Sequence, residues 1–205
     1  MAYEAGDLIV KFGPALVAPD SDSTSKQLGL PGEPVEVDDG VGIGISGTYM
    51  MTDTVGLEIL GASPFEHDID GGLALANTRV GSTEHLPPTV LVNYFPPLSE
   101  KIKPYVGLGY NYTFFFNEDT TAEFDGLIGG LLGTDYTSLS LSDSHGLAYE
   151  IGVDIPLEDN LVFTATVWNI DIDTVATVKA NGNTIDKIDV EIDPWVYMVG
   201  IGIKF

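Results

Sequence analysis

Cysteine is absent from the 205 residues, which excludes disulfides, thiolate metal centres and thiol nucleophiles and fits any compartment. Basic residues are scarce. Eight Lys and Arg face 31 Asp and Glu, a net charge of −23, and the phosphates of a nucleic acid would be repelled by such a surface. No window of 18 consecutive residues is apolar throughout, so no transmembrane helix is encoded. A closed barrel is then the only other way to span a bilayer. P-loop, GxSxG and HExxH motifs are missing, which removes the common phosphate, esterase and zinc-protease signatures. The amino-terminal MAYEAGDLIVKF has neither a basic nor an apolar leader region, so no signal peptide is read there. Because a barrel must be exported, a mature form with an added start Met is expected.

What the chain does have is alternation. In the last nineteen residues, 187–205, one parity reads Trp195, Tyr197, Val199, Ile201, Ile203 and Phe205, and the other Val196, Met198, Gly200, Gly202 and Lys204. Successive side chains of a strand face opposite ways, so this strand has one large apolar face that starts in aromatics. Aromatics gather at membrane interfaces, and about ten tilted residues of strand cross a bilayer. A half-buried strand of a soluble sandwich shares the same period.

The pattern repeats along the chain. Leu8, Val10 and Phe12 alternate with Ile9, Lys11 and Gly13 in a first strand expected to break at Pro14 and Pro19, before a mobile loop SDSTSKQLGLPGEP. Further strands are read over 37–50, 55–69, 80–95 (interrupted at Pro87-Pro88), 105–115, 145–156 and 161–178, then the final strand after the Asn181-Gly182 hairpin signal. Thr52-Asp53-Thr54, Pro96-Pro97 and residues 157–160 are tight turns, and residues 70–79 are a loop. The stretch TAEFDGLIGGLLG reads either as a short helix or as a loose apolar flap. Eight strands with short turns alternating with long loops give an antiparallel transmembrane β-barrel, one domain over 1–205, with both termini at the periplasmic end.

Sorting the strands by parity places Lys11, Glu58, Glu150, Asp154 and Lys204 on the non-lipid face near that end. Burial would require such charges to pair, closing a narrow barrel with a charged plug. A catalytic reading of Glu58 and Glu150 lacks an accompanying nucleophile or metal set. Higher up, the interior parity holds Trp168, Ile170, Val190, Ile192, Val196 and Met198. An eight-stranded barrel has room for packed side chains or one small ligand, and an apolar interior over a charged floor suits an apolar molecule. His67, His85 and His145 fall near different strand ends, and their spacing supports no metal site.

The segments TYMMTD (48–53), LEILGASPFEHDI (57–69), HLPPT (85–89), KPYVGLGYNYTFFF (103–116), VWNIDIDT (167–174) and DPWVYMVGIGIKF (193–205) resemble the OmpW family of small outer-membrane barrels. They keep their order over nearly the whole chain, and the long loops match least. The resemblance implies an eight-stranded barrel in the bacterial outer membrane with a hydrophobic lumen, linked to uptake of small hydrophobic molecules. It also implies a lateral opening at Pro87 and Pro88, with His85 and Leu86 at its rim. Prolines lack the N–H that a ladder needs, which agrees with a gap there. The strong acidity departs from the familiar family pattern, as do the interior glycines Gly42, Gly44 and Gly47.

The expected function is therefore a passive conduit for small hydrophobic solutes with lateral exit into the bilayer. The expected partners are those solutes and outer-membrane lipid, with no nucleic acid, no metal and no cofactor, and the chain is expected to act as a monomer. A structural or adhesive barrel with a filled lumen, whose acidic loops bind cations or partners, is the alternative. A soluble lipocalin-like carrier would leave Val106, Leu108, Tyr110, Tyr112 and Phe114 in water.

Overall fold

The computed structural model describes residues 3–30, 32–72, 75, 78–99, 101–157 and 160–205. In chain order the elements are β1 (Leu8–Ala18), β2 (Asp22–Ser25), β3 (Val35–Val37), β4 (Gly40–Met50), β5 (Val55–Ala62), β6 (Phe65–Gly71), β7 (Arg79–Leu86) and β8 (Thr89–Tyr94). There follow β9 (Lys103–Thr120), α1 (Ala122–Leu132), β10 (Thr137–Leu141), β11 (Ser144–Pro156), β12 (Leu161–Ile170), β13 (Asp173–Ala180), β14 (Asn183–Glu191) and β15 (Trp195–Lys204). The turn expected over 157–160 and the loop over 70–79 lie partly outside the described residues.

Eight of these strands close a ring in the order β1, β4, β5, β8, β9, β11, β12, β15 and back to β1, every pairing antiparallel. Closure leaves no free edge, and it satisfies the backbone polar groups that hydrocarbon could not. The outward parity is apolar on every wall: Phe12, Val41, Ile43, Ile59, Val92, Leu108, Ile151 and Val199 are all exposed. In water such a continuous belt would be untenable. Exposed rings ring it at two levels, Tyr49 and Tyr94 near the chain termini and Tyr110, Tyr112, Trp195 and Tyr197 near the opposite end. Phe205 N donates to Leu8 O at 2.8 Å, so both ends of the chain meet at one rim.

Beyond the opposite rim the walls continue as an extension. One side is β3–β6–β7 with the upper part of β9, and the other is a four-stranded sheet, β10–β13–β14–β2. Here the outward positions turn polar, with Glu66, Asp68, Asp70, Ser82 and Glu84 facing away from the core, which marks the end of the membrane-spanning part. Helix α1 starts at Thr121, whose hydroxyl accepts from Phe124 N at 3.1 Å, and ends at Gly133 in the left-handed region with φ 70°. That settles the stretch as a helix, and it buries Phe124 and Ile128 against the extension.

Several expectations need correction. Pro14 does not end the first strand. It pairs by position with Ile43 on β4, while the pairing to β15 skips residues 13 and 14; the missing N–H therefore falls where the ladder is already open. The mobile loop contains β2, held because Ser23 Oγ donates to Val35 O at 2.6 Å and β2 pairs with β14. Four polar residues give no periodic signal. The strand read over 161–178 breaks after Ile170, and the final one breaks at Ile192–Pro194, where Asp193 has φ 36°. There the chain leaves the barrel for the second sheet, a change of direction that an unbroken parity run conceals. The Asn181-Gly182 hairpin forms with φ 46° and 80°, the left-handed pair such a turn requires.

Candidate functional site: a stacked lumen with a broken wall

The floor gathers charges from opposite walls. Lys11 Nζ lies 3.1 Å from Asp154 Oδ2 and donates to Tyr105 OH at 3.0 Å; Tyr3 OH donates to the same Asp154 oxygen at 2.8 Å. Glu58 Oε2 accepts from Thr48 Oγ1 and from Asn93 Nδ2. Tyr3, Phe95 and Tyr105 pack edge to face and tilted around these groups, with Lys11 Nζ 4.1 Å from the Tyr105 ring centre. Lys11, Glu58, Glu150 and Asp154 are thus brought together and fully buried. Lys204 is not in that cluster: it sits at the rim, 2.9 Å from Asp7 Oδ2. Neither Tyr105 nor Tyr3 was expected at the floor: Tyr105 shares the parity of Gly107 and Gly109, a signal that could have found it, whereas Tyr3 precedes the first strand and carries none.

Glu150 and Trp168 are opposite one another across β11 and β12, and this pair is the boundary between floor and lumen. Above it lies a cavity of about 20 Å3, walled by Leu60, Phe65, Trp168, Ile170 and Val196. A second cavity, about 40 Å3, lies in the extension under Phe124 and between the two sheets, and takes Val190 and Ile192 among its walls. Met198 packs below, against Ala15 and Gly44. His85 lines both cavities. Its ring stacks on His67 at 4.8 Å between centres and leans on Phe65 and Phe115. Two of the three histidines therefore converge, against the expectation from their spacing; His145 packs on Tyr110 elsewhere. Both lie in the extension, outside the membrane-spanning strands. Burial lowers the pKa of His67, and burial together with the neighbouring His67 takes His85 down to about 3, so the imidazoles are neutral.

The wall is broken beside the lower cavity. Pairing of β5 with β8 stops at Leu60–Thr89, and pairing of β6 with β7 resumes at Phe65–His85. On its other side the same strand stays attached, since Tyr112 N donates to Pro88 O at 3.1 Å. Residues 61–64 instead hold to β4, through Gly44–Ala62 and through Ser63 N donating to Ile43 O at 2.9 Å. Pro87 is buried and lines the lower cavity, whereas Leu86 and Pro88 are half-buried. Gly61 and Ala62 line the lower cavity and also an outward groove formed with Ile43, Ile45 and Ile59. Inside and lipid face are separated there by two small residues.

The OmpW family profile matches residues 4–205. The chain belongs to the OmpW family. Outer membrane protein W of Vibrio cholerae is 41% identical over 207 residues, covering 100% of this chain and 91% of that protein. The crystal structure of the outer membrane protein OprG from Pseudomonas aeruginosa superposes with a TM-score of 0.87 at 37% identity, covering 100% of this chain and 98% of that one. The solution structure of the E. coli outer membrane protein W gives 0.63 at 35% identity, covering 98% and 99%. The protein is thus an eight-stranded antiparallel β-barrel of the bacterial outer membrane, and its exposed belt faces lipid.

Proposed function

We propose that this barrel is a passive conduit through which small hydrophobic molecules enter from outside, pass along the line of the two small apolar cavities as the side chains around them part, and leave sideways into the bilayer. The observation that carries this reading is the break in the ladder between Leu60–Thr89 and Phe65–His85, set beside an apolar cavity and an apolar outer groove that share Gly61 and Ala62. The floor supports it too: a straight path to the periplasm would have to desolvate a solute against Lys11, Glu58, Glu150 and Asp154, whereas the sideways path runs along mostly apolar surface and meets no charged side chain. Apolar solutes gain about 25 cal/mol for each Å2 removed from water, so the route runs downhill into lipid. Uptake of an apolar probe by cells with and without the protein tests it, with Gly61→Leu as the plugged control.

A second reading, an outer surface that binds cations, has one observation in its favour. The carboxylates of Asp171, Asp173 and Asp193 place ligand oxygens within 4.8 Å of one another at the barrel mouth. Calcium titration with Asp173→Asn as control separates it from the conduit.

A further inference from the structure

We infer that the stacked His67–His85 pair is a hydrogen-bonding station in the conduit, selecting uncharged molecules that carry one hydroxyl on an apolar body, such as medium-chain alcohols and alkyl phenols, over plain hydrocarbons. The inference rests on the conduit reading and names its preferred solute.

Four observations support it. First, His85 stands between the cavities, lining both, so its ring borders each of them. Second, the tautomer of His67 is fixed. Its Nδ1 lies 2.6 Å from the carbonyl oxygen of Asp38, which can only accept, so Nδ1 carries the hydrogen and Nε2 of the neutral ring is an acceptor. That Nε2 is buried without a hydrogen-bond partner. Gly40 seats the ring, since a Cβ there would lie 2.6 Å from His67 Cε1. Third, the partners of His85 among the described residues are rings, namely Phe65, His67 and Phe115. A neutral imidazole offers one donor and one acceptor. Fourth, the remaining polar side chain of the upper cavity wall, Thr83, directs its hydroxyl to the carbonyls of Glu84 and Phe116. His67 Nε2 and the ring nitrogens of His85 are therefore polar side-chain atoms beside these cavities that have no hydrogen-bond partner among the described residues, and a solute reaches them by parting the packed rings.

Charge decides the class of head group. A carboxylate near the extension would be repelled by Asp38, Asp39, Asp68 and Asp70, which flank His67 on the strands and the connection around it. Arg79, the cation beside them, is already paired with Asp68 and Asp70. An ammonium would lie in apolar walls against two neutral rings, and burying such a charge without a partner is costly. A hydroxyl is neutral, and it can donate to His67 Nε2 or exchange hydrogen bonds with His85.

The test uses the full chain, labelled with 15N-histidine, in lipid nanodiscs. Titration with 1-octanol should move the imidazole nitrogen signals of His67 and His85, whereas octane at equal occupancy should leave them in place. In cells, the octanol-over-octane uptake ratio should fall about tenfold in His85→Phe, the worth of about one hydrogen bond. His85→Gln, which keeps a donor and an acceptor, should restore part of it. Octanol shifts no larger than those of octane, or an unchanged ratio in His85→Phe that retains its folded mobility on gels, overturns the assignment. If octane enters and octanol gains nothing, the histidine station alone falls. If neither enters through the wild-type protein, the conduit falls and the station with it.

Discussion

Lys11 Nζ and Asp154 Oδ2 are 3.1 Å apart at the floor of the barrel, and both side chains are almost completely removed from solvent. Removing one member of such a pair leaves the other charge buried and alone, a loss of about 3–5 kcal/mol. Lys11→Met and Asp154→Leu should therefore each lower the unfolding midpoint, and the double variant should recover most of the loss. Urea unfolding in detergent, read by tryptophan fluorescence, checks this. Additive losses in the double variant would show that the two charges do not depend on each other.

Acid should weaken the extension through its histidines. In the unfolded chain an imidazole takes up its proton near its ordinary value of 6.5, whereas burial holds His85 to about 3 and lowers His67 as well. Between those values the unfolded state binds more protons than the folded one. Stability is then level above about 6.5 and declines as pH falls toward 3, by about 1.4 kcal/mol for each pH unit from a fully shifted histidine. Comparing wild type with His85→Phe at pH 8 and pH 4 isolates this slope from the carboxylates, and the variant should show the smaller decline.

Helix α1 depends on its cap. Thr121→Ala removes the hydroxyl that accepts from Phe124 N, and it should cost about 1 kcal/mol. Amide exchange in residues 122–125 should quicken by about fivefold to tenfold while the barrel strands are unaffected. Equal quickening everywhere would mean that the helix and the barrel open together.

Gly61 lies between the lower cavity and the outer groove and lines both. A Cβ there would meet nothing within 4 Å, so Gly61→Leu should fold normally and fill the outer groove beside Ile43 and Ile59. Probe uptake should drop severalfold with no change in thermal stability. Uptake equal to wild type would move the exit elsewhere.

Parity is what made the barrel legible. Val106, Leu108 and Tyr110 alternate with Gly107, Gly109 and Asn111, and the same sorting placed Lys11, Glu58, Glu150 and Asp154 on one inner level. The break at Pro87 and Pro88 was marked by the prolines themselves, whereas the eight strands of the ring follow from runs long enough to have a period. Short elements do not have one: β2 and β10 are held by long-range pairing to β14 and β13, which no local pattern reports. The His67–His85 stack was hidden for a related reason. The two residues are on neighbouring strands but not in register, since Phe65 pairs with His85 and His67 with Thr83, so only the inward diagonal brings the rings together. Lys204 was misplaced because parity gives the face and not the depth.

The most direct measurement is uptake of a small apolar probe by cells carrying wild type or Pro87→Val/Pro88→Val, since valines could supply the N–H groups the prolines lack and let this strand pair with residues 61–64. The account predicts that uptake falls severalfold in the variant while its heat-modifiable mobility stays that of a folded barrel. Uptake that is absent in wild type, or unchanged in the folded variant, would contradict the lateral route.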